Sequence, residues 1–151
     1  MAVISTVPAC LDALVALARR ALPGVQVVDG QPLDTDPDIV CIGFTGEPGE
    51  AGVEVTRTRQ QASITPDRES YDITCLASSW RGHQVDPKVV RDRTYELVDR
   101  IAAELAADPT LGGVALTTRI STDALAQEQT TRGAVAVVRF TIHVEAFTRA
   151  A

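Results

Sequence analysis

The chain has 151 residues, of which 45% are hydrophobic, 23% charged and only 4% aromatic, and its formal net charge is −6. This length predicts one domain, with a core built mainly from Val, Leu, Ile and Ala. The acidic balance argues against a nucleic-acid-binding protein, and no apolar run reaches the roughly 20 residues that span a bilayer. The N-terminal residues lack the pattern of a secretory signal, so we expect a protein made in the cytosol.

The first third of the sequence predicts one helix followed by short strands. Apolar residues recur at helical spacing from Pro8 to Leu22, and Pro23-Gly24 ends that helix. A short strand is predicted at Val25–Val28, and the acidic, turn-rich segment Gln31–Asp38 is predicted as a solvated loop. The almost wholly apolar segment Ile39–Phe44 is typical of a strand that is covered on both faces.

The middle of the chain alternates between connections and strands. Glycines make Gly46–Gly52 a flexible connection, and Val53–Arg59 reads as a more exposed strand. The segment Gln60–Ser70 has little periodicity and is predicted as a loop. Tyr71–Trp80 alternates as a strand, with Arg81–Val85 as the connection after it.

The last part predicts a long helix and a strand pair. Asp86 is a good N-cap for a helix over Pro87–Ala107, which has an apolar stripe of nearly ideal spacing. A strand is predicted at Val114–Thr122, and the polar segment Asp123–Arg132 is predicted to link it to the final strand as a long hairpin connection. Gly133–Thr148 is the clearest strand of the chain. One of its faces should be buried, namely Ala134, Ala136, Val138, Phe140, Ile142, Val144 and Ala146.

This order of elements (α-β-β-β-β-α-β-β) predicts an α+β fold in a single domain spanning residues 1–151. Strands grouped together with only two helices favour a mainly antiparallel sheet of about five to six strands. Both amphipathic helices can then pack on the same face of that sheet.

The search for reaction chemistry gives little. Nucleophile-elbow, Walker A, Cys-x-x-Cys and His-Glu-x-x-His motifs are missing from the sequence. The three cysteines, Cys10, Cys41 and Cys75, lie in apolar contexts and are expected to be buried free thiols. His143 alternates with polar residues and is expected to be a half-exposed cross-strand residue. By elimination, the protein should act through its surfaces.

Three stretches resemble the tail terminator proteins of long-tailed, siphovirus-type bacteriophages and related phage-like particles. They are the first helix running into ALPGVQVVDGQP (21–32), the strand that ends at Ser79-Trp80 before a loop and long helix, and the segment 107–147. The turn DPTLGG and the final hairpin with its Gln-rich linker carry most of the likeness. The resemblance covers most of the chain in element order and turn sequence.

The resemblance implies a structural virion protein without catalytic activity or cofactor. The two widely separated histidines, His83 and His143, independently argue against a metal site. The resemblance also implies a homo-oligomeric ring, commonly hexameric, that caps the head-proximal end of the tail tube, ends tube polymerisation and joins the tail to the neck. The expected partners are further copies of the chain, the major tail-tube protein and a neck or head-completion protein, while DNA only passes through the lumen and no membrane is involved. Such a protein would be assembled in the host cytoplasm and reside in the virion tail.

Long polar connections are the best candidates for ring contacts, since unstructured loops of this length are usually functional or disordered. The residues expected to make polar contacts between proteins are Arg57, Arg59, Arg119, Gln127, Gln129 and Arg132.

Two alternative functions stay open at this stage. One is another head–tail connector, neck or minor tail component with the same architecture, because a fold does not fix a role. The other is a small cytosolic enzyme that uses Cys75, His83 and Asp72.

Overall fold

The computed structural model describes residues 4–56, 67–83 and 86–148. It contains two helices, α1 (Val7–Ala21) and α2 (Pro87–Ala107). The six strands are β1 (Gln26–Asp29), β2 (Asp38–Ile42), β3 (Val53–Glu54), β4 (Arg68–Gly82), β5 (Thr117–Thr130) and β6 (Gly133–Phe147). The predicted α+β class is confirmed, as is the mainly antiparallel sheet.

The strands form one sheet in the order β1-β2-β4-β6-β5, with β3 paired to β4 beside β2. Among the strand pairs that the structure describes, β1 and β2 run parallel and the others are antiparallel. Both helices bury their apolar stripes in a single cluster with one face of β2, β4 and β6. We call this the core face, and the opposite side of the sheet the open face.

The final strand, β6, lies at the centre of the sheet and is buried as its alternation predicts. The seven residues of its apolar parity are at most 1% exposed, and the largest of them is Phe140. Gly133 begins the strand at a close approach, because a Cβ there would lie 2.3 Å from the carbonyl oxygen of Arg81. Glycine is therefore required where the hairpin meets the end of β4.

Helix α2 has the bounds that its sequence predicts. The Asp86 carboxylate accepts a hydrogen bond from the backbone N–H of Lys88 at 2.9 Å, as an N-cap does. Helix α1 begins differently. The carboxylate of Glu69, only 1% exposed, accepts hydrogen bonds from the Thr6 backbone N–H (2.8 Å) and the Ser5 hydroxyl (2.7 Å). A carboxylate from β4 thus complements the positive end of the α1 dipole.

Strand β4 is longer than predicted. It begins at Arg68, so the end of the predicted loop Gln60–Ser70 is wrong, and it continues through Gly82 into the predicted connection. The predicted strand Val53–Arg59 is confirmed only at Val53–Glu54; residues 57–66 and 84–85 lie outside the described part of the chain.

The largest correction concerns β5. The predicted strand Val114–Thr122 begins later, at Thr117, and the predicted linker Asp123–Arg132 is mostly strand. Residues 122–130 pair with β6 from Thr141 to Gly133, after a bulge between Ile120 and Thr122. The linker looks irregular in sequence because an edge strand exposed on both faces needs no apolar alternation, while the backbone ladder still holds it in place.

Cys10, Cys41 and Cys75 are free thiols that are at most 1% exposed, as predicted. Burial raises the pKa of Cys75 to about 12 and that of Cys41 to about 11. No helix among the described residues is long and apolar enough to cross a membrane.

Candidate protein-interaction surface

The six residues predicted to make protein contacts fall in different places. Arg57 and Arg59 lie outside the described residues. Arg119 lies on the open face of β5, opposite His143. Gln129 shares the core-side parity of β5 with Gln127 but is exposed, and Arg132 is exposed in the turn between β5 and β6. Four of the six therefore belong to one hairpin.

Strand β5 is an edge strand of 14 residues, with β6 as its single neighbour in the described sheet. Thr118 is its one buried residue, and Leu125 is 40% exposed. The strand contains neither Pro nor Lys, the residues that commonly protect such edges. It therefore presents a long, lightly charged backbone edge that can pair with another strand.

Gln127 makes hydrogen bonds within the subunit, and its predicted contact with another protein stays a prediction. Its side-chain N–H donates to the carbonyl oxygen of Pro87 at 2.7 Å, and its side-chain oxygen accepts from Arg91 at 3.2 Å. Both partners lie in the first turns of α2. Gln127 thus ties the edge strand to the helix, and Gln129, on the same side of β5, makes no side-chain hydrogen bond within the described part of the chain.

A second exposed apolar feature lies on the open face near β2, and the sequence analysis did not single it out. Trp80, at the end of β4, is 50% exposed. It borders a shallow cavity of about 350 Å³, whose lining includes Pro32, Pro37, Ile39, Leu76 and Val135. We call this the Trp80 patch. The signal was present in the sequence, because Trp80 has the parity of the wetter face of β4.

Close to this patch, Asp38 anchors three elements. Its carboxylate accepts hydrogen bonds from Ser79 (2.8 Å) and Arg81 (2.8 Å) on β4, and from Arg93 (2.9 Å) on α2. Burial raises the pKa of Asp38, but these hydrogen bonds more than offset burial and lower it to about 2. The prediction that Asp38 belongs to a solvated turn is therefore wrong, and the cluster is structural.

The residues of the alternative enzyme hypothesis do not come together. Cys75 is fully buried on the core face, whereas Asp72 lies on the open face of the same strand. His83 follows β4, about 26 Å along the strand from Cys75 at the usual rise per residue. A buried thiol with a raised pKa is also a poor nucleophile, because the thiolate is the reactive form.

We also searched the described part of the chain for side chains that could bind a metal ion. Within those residues, no group of three or more His, Cys, Asp or Glu side chains is arranged to hold an ion.

Comparison with known proteins leaves the family open. No protein-family model matches this chain, and a search of curated proteins finds no match either. The functional argument therefore depends on the edge strand, the Trp80 patch and the charges around them.

Proposed function

We propose that this chain is a structural subunit that forms a ring at the head-proximal end of a long-tailed phage tail, where it ends tube polymerisation and joins the tail to the neck. The tail role comes from the sequence resemblance, and the observation that supports assembly is the long outer edge of β5, which has no strand partner within the described sheet. In a monomer, a 14-residue edge without Pro or Lys would favour aggregation, whereas in an assembly it can pair with a neighbouring subunit.

The edge offers both affinity and register. Its outward backbone N–H and C=O groups can form a ladder with a strand of the neighbouring subunit, as in β-strand addition. The bulge between Ile120 and Thr122 limits the regular stretch to residues 122–130. Leu125 adds exposed apolar surface within that stretch.

A closed ring also needs a second, different patch, since its contacts are head-to-tail. The Trp80 patch meets that need. It lies over β2 and β4, towards the sheet margin opposite β5. Large aromatic residues in apolar pockets are frequent anchors of protein interfaces. The β5 edge and the Trp80 patch are different surfaces that lie towards opposite margins of one sheet. A two-fold dimer pairs identical surfaces, so two different surfaces support a ring better than a dimer.

The charge of the chain fits a ring around passing DNA. With a net charge of −6, the surface repels the phosphate backbone rather than binding it. DNA in the lumen would then slide past the ring without being held.

The experiment measures the mass of the purified protein in solution, alone and mixed with the tail-tube subunit of the same particle. We expect a ring-sized species, either alone or on addition of the tube protein. A strict monomer that ignores the tube protein would contradict the terminator role, and binding to the portal-side ring instead would identify another neck component.

A matched pair of variants tests the edge itself. Ala124→Lys/Ala126→Lys places two charges on exposed positions of β5, and Ala103→Lys/Ala106→Lys places the same charges on exposed positions of α2. We expect the β5 variant to need at least a tenfold higher protein concentration to form the ring. Both variants should keep the unfolding midpoint of the parent. Equal assembly of the two variants would exclude β5 as the contact.

A further inference from the structure

The polar half of the open face contains a chain of hydrogen-bonding groups that the ring proposal does not use. Asp72 on β4 is directly opposite His143 on β6, and Ser70 is opposite Glu145. His143 Nδ1 lies 2.7 Å from Asp72 Oδ1, and His143 Nε2 lies 3.4 Å from Ser70 Oγ. Serine, imidazole and carboxylate therefore occur in the order of a nucleophile, its base and an orienting group.

The contact with Asp72 defines the tautomer of the neutral His143 imidazole. The Asp72 carboxylate can only accept, so Nδ1 carries the proton when His143 is neutral. Nε2 then presents its lone pair, and the hydroxyl of Ser70 is the donor that faces it. The 3.4 Å separation is longer than an ideal hydrogen bond, as is common for such pairs before substrate binds.

Glu145 is the competing group, with Oε1 3.7 Å from His143 Nε2. Arg68 forms an ion pair with Glu145 through the other carboxylate oxygen. The hydrogen bond from Arg68 is also the main cause that lowers the pKa of Glu145. Arg68 binds one carboxylate oxygen, while the other still interacts with His143, so Glu145 and Ser70 compete for Nε2. In the neutral tautomer Nε2 has no proton to give to Glu145, and the Ser70 hydroxyl is then its hydrogen-bond donor.

Arg119 completes the surroundings of His143. It is the cross-strand neighbour of His143 on β5, on the same open face. Within the described residues its side chain makes no hydrogen bond or ion pair. Arg119 lies across β6 from Ser70, and Arg68, two residues before Ser70 on the same face of β4, is nearer in register to the nucleophile. We therefore assign Arg119 no part in the reaction.

We propose that Ser70 is an activated nucleophile that takes an acyl group from small, activated esters. Ser70 Oγ attacks the ester carbonyl, and Nε2 of His143 takes the hydroxyl proton. The tetrahedral intermediate expels the alkoxide, which recovers that proton from His143. Water then hydrolyses the Ser70 ester with His143 as the base, releasing the carboxylic acid.

The open position of the site sets the scale of the effect. Ser70 is exposed, and the Asp72 side chain is 61% exposed, so water has free access. Without a dry pocket we expect general-base assistance alone, about 10²-fold over an ordinary serine. The substrates are therefore small and weakly selected. Because the leaving group of an activated ester departs more readily than the serine alkoxide, acylation should be faster than deacylation, and the acyl-Ser70 intermediate should accumulate.

The test treats the full chain with p-nitrophenyl acetate and maps acetylation by peptide mass spectrometry. Ser121 is the internal reference, being an exposed serine on β5 whose hydroxyl donates to the Thr141 carbonyl rather than to an imidazole. We expect Ser70 to be acetylated about 10²-fold faster than Ser121. Equal rates for the two serines would overturn the proposal.

Variants separate the roles within the site. His143→Gln should lower Ser70 acetylation to the Ser121 rate, and Ser70→Ala should abolish the nitrophenolate burst. Asp72→Asn should slow acetylation, with Asp72→Glu restoring part of the rate, as a positioning residue requires. Unchanged Ser70 acetylation in His143→Gln, or an acetyl group found on His143 or Lys88 in place of Ser70, would contradict the mechanism.

Discussion

Strands β5 and β6 form one hairpin and share one backbone ladder, yet they differ in almost every other respect. Along β6, alternate residues from Ala134 to Ala146 are at most 1% exposed. Along β5, Thr118 is the one buried residue. β6 has neighbours on both sides, β4 and β5, and carries helix α2 on its core face; β5 has one neighbour strand in the described sheet. Position in the sheet, rather than pairing, separates the two strands.

The difference shows what holds each strand in place. Burial of apolar side chains contributes roughly 1.5–3 kcal/mol per large residue, so β6 is held mainly by its side chains. β5 gains little from burial and depends on the ladder and on a few polar contacts. A strand held in this way is free to accept a second partner at its outer edge.

The most severe test of this comparison is a pair of truncations, one in each strand. Phe140→Ala empties the centre of the core and should lower the free energy of unfolding by about 3–5 kcal/mol. Leu125→Ala removes a side chain that is 40% exposed and should cost less than about 1 kcal/mol. Chemical denaturation of both variants measures the two values.

Similar losses in the two variants would break the comparison. A small loss at Phe140 alone would mean that the core face had been assigned to the wrong parity. A large loss at Leu125 in the isolated chain would mean that β5 is already held by side-chain packing.

The same contrast explains which parts of the fold the sequence predicts. The parity of β6 and the stripe and N-cap of α2 are local patterns, and the structure confirms them. The second half of β5 has the sequence pattern of a linker, because residues such as Gln127 and Glu128 lie on opposite faces of the strand and neither face is apolar. No local rule distinguishes that pattern from a polar loop.

Long-range polar contacts were beyond prediction for a different reason. Asp38 was assigned to a solvated turn, although its partner Arg93 lies 55 positions later in the chain. Glu69 was assigned to a loop, and it accepts a hydrogen bond from Thr6, 63 positions earlier. Such pairs depend on how the sheet brings distant segments together, which single-sequence periodicity does not encode. The Ser70–His143–Asp72 chain escaped notice for the same reason.

The next test concerns Asp38. Asp38 lies near a margin of the sheet, yet we expect its substitution to lower stability, as the substitution of a residue in the centre of the sheet would. Asp38→Asn keeps the shape of the side chain but weakens its charge-assisted hydrogen bonds with three residues, Ser79, Arg81 and Arg93. We expect a loss of about 1–3 kcal/mol, well above that of a surface substitution. Thermal or chemical unfolding at neutral pH measures it.

The pH dependence gives the control for Asp38. Its pKa is lower in the folded protein, about 2, than the ordinary value of 3.8. The carboxylate therefore stabilises the fold above pH ~4, and this contribution is lost as the pH falls towards ~2. The difference in stability between the parent and Asp38→Asn should shrink over that range. A constant difference from pH 7 to pH 2 would show that the charge of Asp38 is not what stabilises the cluster.

The smallest expected effect lies within β5 and tests how that strand is attached to α2. Gln127 and Gln129 have the same side chain on the same side of the same strand. Among the residues that the structure describes, only Gln127 of the two makes side-chain hydrogen bonds, to Pro87 and Arg91. Gln127→Ala should cost about 0.5–1.5 kcal/mol, whereas Gln129→Ala should leave stability unchanged within about 0.5 kcal/mol. In a ring the order should reverse for assembly, since Gln129 keeps its amide free for a neighbouring subunit and Gln127 does not. Equal effects of the two substitutions on both measurements would mean that the ladder alone fixes β5, without help from the helix.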